Sequence, residues 1–387
     1  MGNDRAGIYI NQLQGDLAYK AFIPKPLPPD PAILLDSELT RLLSEADRSI
    51  GRLGGVIKSI PNPELFVMMY IKKEAVLSSQ IEGTQASLSD ILEKEEDILS
   101  AEKNDDVTAT LNYIIAMNYG LERIKDFPLS LRLIREIHQQ LVSNVRGHDK
   151  NPGEFRVKQN WVGPAGCTLK DATYIPPPTH EMNQAMGELE KYLHAEKTYP
   201  VLVECGLIHA QFETIHPFSD GNGRIGRLLI TFLLCINEII DQPLLYLSYY
   251  LKKNKQEYYN RLMSVRNDGD WEGWLKFFLK GITETSENVV LLSNKILDLK
   301  KNKEELVRKS MRKSSLKVIE LLDKLYIHPV MSVTRASELC DISYNAAKNI
   351  IRTFTELNIV VEKSGKQRDR KYHFKEYIDL LNEGTIL

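Results

Sequence analysis

The sequence predicts a mainly α-helical protein that carries a β-hairpin flap and ends in a small domain of winged helix-turn-helix outline. Three observations lead there. Apolar residues recur at helical spacing through most of the chain, one proline-terminated stretch alternates instead, and the pattern changes again after residue 313.

With 387 residues, 43% hydrophobic and 26% charged, the chain has a globular balance and room for two or three domains. We divide it into an N-terminal arm and helix (1–60), a helical domain (61–313) and a C-terminal domain (314–387). Residues 228–236, the longest apolar run, fall short of the roughly 20 residues a membrane span needs. The N-terminus lacks a signal-peptide pattern, so we expect a cytoplasmic protein with no membrane partner. Cys167, Cys205, Cys235 and Cys340 show no C-x-x-C spacing, which encodes neither a disulfide framework nor a zinc site. The net charge of -2 gives no global field for nucleic acid, although "KSMRKSSLK" and "EKSGKQRDRKYHFK" make the last quarter locally basic.

Taken in order, "PKPLPPDP" favours an extended polyproline arm lying over the surface. Asn62 and Pro63 supply an N-cap and first turn for the helix "PELFVMMYIKKEAVLSSQIEG", which Gly83 stops. Further helices are read in "TATLNYIIAMNYGLERI", "SLRLIREIHQQLVSNV", "HEMNQAMGELEKYLHA", "YPVLVECGLIHAQFETI" and "IGRLLITFLLCINEII". Between the second and third of these, "GEFRVKQNWVGPAGCTLKDATYIPPP" reads as the hairpin or flap. Helical signals return in "YYNRLMSVR" and "VVLLSNKILDLKKNKEELVRK". From Ser314 onward a helix precedes "VTRASELC" and "YNAAKNIIRTFTEL", two helices joined by "DIS", and the alternation after Ile359 suggests a small hairpin.

Residues 216–227, "HPFSDGNGRIGR", carry the chemistry. Gly221, Gly223 and Gly226 spell G-x-G-x-x-G, and Asp241 lies near the distance a dinucleotide site would want. That fingerprint needs a buried strand before its first glycine, and what precedes Gly221 has a helical period. A phosphate-binding turn fits better. Pro217 disfavours the α conformation at His216, ending the preceding helix with the imidazole at the loop mouth. Phe218 anchors that loop. Gly221 and Gly223 permit backbone angles closed to other residues, so that N–H groups converge at the start of a helix beginning near Arg224. Arg224 and Arg227 share one face of that helix and call for an anion between them. Asp220 is a suitable oxygen ligand for nucleotide-borne Mg²⁺, and His216 a suitable base for an incoming hydroxyl.

This stretch matches the Fic-domain signature H-P-F-x-[DE]-G-N-G-R-x-x-R at every specified position, so the chain resembles Fic proteins. The resemblance implies a helical Fic fold and transfer of AMP from ATP to a Ser, Thr or Tyr hydroxyl of a target protein. It implies His216 as general base, Asp220 as the Mg²⁺ ligand, and Gly221, Asn222, Gly223, Arg224, Ile225, Gly226 and Arg227 as the phosphate cradle, oriented by Asn222. "SSQIEG" similarly resembles the family's inhibitory motif, with Ser78, Glu82 and Gly83 in place. There Glu82 would pair with Arg227 and hold ATP misplaced. By the same likeness Thr173, Tyr174 and Ile175 in the flap would clamp the target, and Tyr258 and Tyr259 would touch the adenine. Adjacent helical tyrosines cannot face the same way, so at least one belongs to the core. A homodimer is a family expectation.

His209 lies two helical turns before His216 without an H-E-x-x-H pattern, which makes it a hydrogen-bonded structural residue rather than a zinc ligand. His138, His148, His180, His194, His328 and His373 show no ligand spacing. In the C-terminal domain "YNAAKNIIRTF" offers Lys348 and Arg352 as a thin basic face, and "KSGKQRDRKY" a wing, making duplex DNA a candidate partner beside a protein-docking role. Two alternatives stay open: a DNA-binding regulator whose Fic region senses nucleotide, and a hydrolase that removes AMP, with Glu82 positioning water.

Overall fold

Why the chain folds around one buried helix is seen first in its charges. A computed structural model describes residues 5–15, 18–58, 63–96, 104–143, 151–164, 166–310, 316–363 and 370–385. Helix α1 (Ser37–Lys58) precedes α2 (Pro63–Ile81), which runs through the middle of the molecule. Helix α2 has no polar face: Lys72, Lys73, Glu74, Ser78 and Ser79 are buried alongside its apolar residues. Buried charges require partners, and each has one. Lys72 pairs with Glu95 at 2.5 Å, Lys73 donates to the Glu383 carbonyl at 2.8 Å, and Glu74 accepts from Ser248 and Tyr113. The Asn62 cap expected before α2 lies outside the described residues.

After α2 come α3 (Leu88–Glu96), α4 (Asp105–Arg123), α5 (Leu131–Val142), α6 (Thr179–His194), α7 (Val201–Ile215) and α8 (Asn222–Ile236), of which α3, α4 and α8 pack on α2. They are followed by α9 (Ser248–Lys253), α10 (Lys255–Asp268) and α11 (Trp271–Ser310). Local sequence sets several of these limits. Asn104 caps α4 by accepting from Asp106 and Val107 N–H, Ser130 caps α5 through Leu133 N–H, and Gly269, at φ 66°, stops α10. At 40 residues, α11 is about 60 Å long, and α1 lies along it, so the helix of residues 37–58 belongs to the helical body.

Two expectations need correction. The first 36 residues are not simply an arm. Strands β1 (Gly7–Gln12) and β2 (Tyr19–Pro24) form an antiparallel hairpin in register from Gly7↔Pro24 to Gln12↔Tyr19, and the proline-rich arm follows, held by Arg5 donating to the Pro31 and Ala32 carbonyls. The flap, in contrast, is not a ladder. Among the described residues its pairing is one antiparallel bridge, Val162↔Tyr174, because the proline run ends alternation immediately after Ile175.

Beyond α11, α12 (Leu316–Ile327), β3 (Val330–Ser332), α13 (Val333–Cys340) and α14 (Tyr344–Glu356) lead to β4 (Val361–Glu362), β5 (Lys371–His373) and α15 (Lys375–Asn382). The three strands form one antiparallel sheet in the order β3-β5-β4. The two helices joined by "DIS" and the short β4–β5 pair fall where the sequence places them, whereas α15 carried no signal we had read. Most of the basic stretch between β4 and β5 lies outside the described residues. Helix α12 packs on α2, β3 on α3 and α15 on α11. No helix among the described residues is long and apolar enough to cross a membrane.

Candidate active site

Helices α7 and α8 meet at the turn 216–221. His216 ends α7 in the left-handed conformation, φ 52° and ψ 58°, with its N–H donating to the Phe212 carbonyl. Gly221 precedes α8 with φ 78°, a geometry that favours glycine. Gly223 differs from expectation. It sits inside the first turn of α8, which begins at Asn222 rather than near Arg224, and has no unusual φ. A Cβ there would overlap Glu82 Oε1, so any larger residue would push that carboxylate aside. Gly226 is held likewise by Glu213 Oε1 and the His209 ring.

The turn is fixed through its main chain. Asn222 accepts from Phe218 N–H and donates to the Phe218 carbonyl, both at 2.8 Å. Arg156, fully buried, donates to the His216 carbonyl at 3.0 Å and gives its own N–H to that of Pro217 at 2.9 Å. Asn160 donates to the Phe218 carbonyl at 2.9 Å. His138 reaches the Asp220 carbonyl at 3.0 Å. Its Nδ1 accepts from Gly153 N–H at 3.0 Å, so Nε2 carries the proton and the ring is neutral. Burial pushes its pKa down to about 4, and its ring stacks on Phe218 at 3.7 Å. None of Arg156, Asn160 and His138 was picked out in the sequence, since they come from other elements and follow no spacing that could flag them.

His209 is structural. Its Nδ1 donates to the Gly226 carbonyl at 2.9 Å, which leaves Nε2 to accept from Tyr258 hydroxyl at 2.9 Å. Tyr258 is thereby committed to the core, 1% exposed, while Tyr259 is 37% exposed and senses the charges of Glu82 and Arg227. Of the two tyrosines expected at the adenine, only Tyr259 stands where a ligand could meet it. Flap residues Tyr174 and Ile175 also turn inward. Tyr174 exchanges both main-chain bonds with Val162 and donates its hydroxyl to the Thr214 carbonyl, and the Ile175 carbonyl accepts from Phe22 N–H of β2. Thr173 alone of the three is exposed, beside a groove of about 480 Å³ between β2 and the flap.

The charges converge on the start of α8. Arg227 donates through Nε to Ser78 Oγ at 2.8 Å and through Nη2 to the Ser78 carbonyl at 3.0 Å and Glu82 Oε1 at 2.6 Å. Glu82 leans over Gly223 from the end of α2, where Gly83, at φ 100°, turns the chain away. Arg224 Nη2 lies 3.6 Å from Asp220 Oδ2, and Asp220 Oδ1 accepts Gly221 N–H at 2.7 Å. The two arginines are thus balanced by carboxylates. Glu213, 7% exposed, lies beneath Gly226, and burial pushes its pKa up to about 7. Burial, with Arg266 and Arg156 nearby, pushes that of His216 down to about 4, so its imidazole is neutral at pH 7. Three buried polar atoms without a hydrogen-bond partner gather here: His216 Nδ1, Glu213 Oε1 and Arg224 Nε. No side chain caps the N–H groups of α8.

This donor set suits a polyphosphate, with uncapped N–H groups and two guanidiniums on one helix end. Among the described residues no cluster of three metal-ligating side chains occurs. Asp220 is the single carboxylate on the turn, which fits Mg²⁺ only in the mode where one carboxylate and substrate phosphates share it with water. A cavity of about 1060 Å³ lies elsewhere, between α2, α4 and α12. At the turn itself Glu82 fills the space before Gly223.

Comparison with known proteins agrees with the motif. Residues 128–234 match the Fic/DOC family. Residues 40–122 match its N-terminal region, described as Fic/DOC family N-terminal, so α2 with Glu82 falls in one match and the Fic turn in the other. A probable protein adenylyltransferase of Aquifex aeolicus is 26% identical over 271 residues, covering 69% of this chain and 76% of that protein. The protein adenylyltransferase Fic of Culex quinquefasciatus is 32% identical over 175 residues, 44% of this chain, and the match spans only 30% of that relative's length. A crystal structure of a Fic family protein from Desulfovibrio desulfuricans G20 shares the fold, with a TM-score of 0.56 at 17% identity, covering 88% of this chain and 97% of that one.

Proposed function

We propose that this chain is a protein adenylyltransferase held inactive by its own Glu82. The observation that carries the reading is the Arg227 guanidinium, buried at the phosphate-binding end of α8 and paired with Glu82 from another helix. The adenylyltransferase relatives and both Fic matches support the reaction class. In the proposed reaction the first turn of α8, Arg224 and Arg227 hold the triphosphate, and Asp220 holds magnesium, which supplies charge neutralisation when bound. Glu82 occupies Arg227 in the resting state and leaves the γ-phosphate without its anchor.

His216 takes the proton from a Ser, Thr or Tyr hydroxyl of the target. Its Nδ1 is enclosed, so the proton goes to Nε2. The acceptor oxygen forms a bond to the α-phosphorus, the bond to the bridging oxygen breaks, and pyrophosphate leaves. Asn222, Asn160, Arg156 and His138 touch no reacting atom. They fix the turn so that the imidazole and the N–H groups keep their spacing. The target segment is proposed to enter beside Thr173.

Peptide mass spectrometry after incubation with ATP and magnesium tests the reading: an adenylyl adduct is expected on protein, including this chain, and none with His216→Ala. No adduct from either the native or the Glu82→Gly form would remove the proposal. We also assign residues 314–387 to a winged helix-turn-helix domain, supported by the order α12–β3–α13–α14–β4–β5. Lys348, Asn349 and Arg352 are exposed on α14, which favours an anionic partner such as duplex DNA over an apolar one.

A further inference from the structure

The end of α2 is where Glu82 is presented, and that helix has no basic side chain in its own last turn. Two lysines from α9 and α10 supply one. Lys255 donates to the Ile81 carbonyl at 2.7 Å, satisfying a helix end that would otherwise leave its carbonyls unpaired. Lys252 donates to Gln80 Oε1 at 2.7 Å and, with the same ammonium, to the Thr385 carbonyl at 3.1 Å. Seven residues before Gln80, Lys73 donates to the Glu383 carbonyl at 2.8 Å.

Residues 383–385 therefore touch the inhibitory helix through two buried or half-buried ammonium groups. The segment is itself built to stay in place. Gly384 has φ 78° and lies so close to the Tyr249 ring of α9 that a Cβ would overlap it. Thr385 is only 4% exposed and ties back to Asn382, where a surface segment after a short helix ordinarily frays. Burial lowers the pKa of both lysines, that of Lys73 to about 8, so each ammonium depends on the oxygens it meets there.

We propose that residues 383–385 latch the inhibitory helix in the position from which Glu82 reaches Arg227, with Lys252 as the positioning residue. The proposal rests on the reading of Glu82 as inhibitor. Releasing the latch lets the last turn of α2 withdraw and frees the guanidinium for triphosphate. Because the segment follows α15 directly, a ligand of residues 316–385 that displaces α15 would reach the active site by this route.

The test is AMP transfer from α-labelled ATP by the full chain carrying Lys252→Met, Glu82→Gly, or both, with Gln80→Met as a second way to break the latch. Lys191→Met, which removes an exposed pair with Glu188 on α6, serves as control and leaves transfer unchanged. Lys252→Met and Gln80→Met are each expected to raise transfer about 5-fold, the low end of a typical coupling between sites, and to add nothing in the Glu82→Gly background. If Glu82→Gly activates while both latch variants stay at the resting rate with an unchanged melting temperature, the latch is wrong and the inhibitory reading stands. Equal loss of transfer in both backgrounds marks a merely structural role and also overturns the latch. If Glu82→Gly itself fails to activate, the inhibitory reading falls and the latch with it.

Discussion

Replacing Glu82 with glycine should convert a resting protein into an active one, and the geometry sets the size of the effect. The carboxylate lies 2.6 Å from Arg227 Nη2, with the arginine side chain 2% and the glutamate 37% exposed. Two unit charges about 4 Å apart attract by about 4 kcal/mol at an effective dielectric near 20. Solvent on the glutamate side screens part of that, and triphosphate recovers the rest of the guanidinium's bonding, so about 1–3 kcal/mol remains as the competition. That range corresponds to roughly 5- to 150-fold. Arg227 retains its two bonds to Ser78, so the guanidinium keeps its place. The assay is the initial rate of label transfer from α-labelled ATP to protein, with circular dichroism to verify folding. A folded Glu82→Gly protein no faster than the native form would refute the competition.

Other outcomes follow from the same contacts. His216→Ala in the activated protein should lower transfer by about 10²- to 10⁴-fold, measured by the same assay, without displacing nucleotide in a binding titration. Asn222→Ala strips the buried Phe218 N–H of its partner and leaves the Phe218 carbonyl with Asn160 alone, and should destabilise by about 1–3 kcal/mol in urea unfolding. Glu74 is fully buried and its pKa is pushed up to about 7; such an acid stabilises the folded state at low pH and loses that contribution as pH rises from about 4.5 through 7. Glu74→Gln should therefore gain stability relative to the native protein between pH 5 and pH 8, by up to about 3 kcal/mol; melting curves whose difference from the native protein is the same at the two pH values would show that Glu74 is ionised throughout. Full-length protein should bind duplex DNA with an affinity that falls steeply as salt rises if the exposed α14 face meets phosphates; salt-independent binding, or none, would leave the C-terminal domain as a protein-docking module.

What the sequence made legible was local. The turn from His216 to Arg227 reads directly because Pro217, Gly221 and Asn222 set its backbone, and the pairing of Glu82 with Arg227 was expected from the likeness of "SSQIEG" to an inhibitory motif. Groups that brace the turn from a distance left no such trace. His138 sits in an amphipathic helix like any core histidine, Arg156 in a loop, and each acquires its role only when α5 and the flap pack against the turn. Gly223 was read for the wrong reason, since the constraint on it is Glu82 from another helix and not its own torsion angles. Tyr258 and Tyr259 could be told apart only once His209 was seen to claim the first hydroxyl. The inward packing of Tyr174 and Ile175 was not legible because the β1–β2 hairpin, whose Phe22 meets them, lies in a segment that reads as an extended arm.

In the proposed reaction a histidine-headed turn grips the β- and γ-phosphates while its imidazole prepares an acceptor for the α-phosphorus. Parallel incubations of the Glu82→Gly protein with α-labelled and γ-labelled ATP test it most directly. Label is expected on protein from the α position alone, with γ-label recovered as pyrophosphate and the protein-bound label lost when His216→Ala is added. Protein-bound label from the γ position, or α-label that survives the loss of His216, would contradict it.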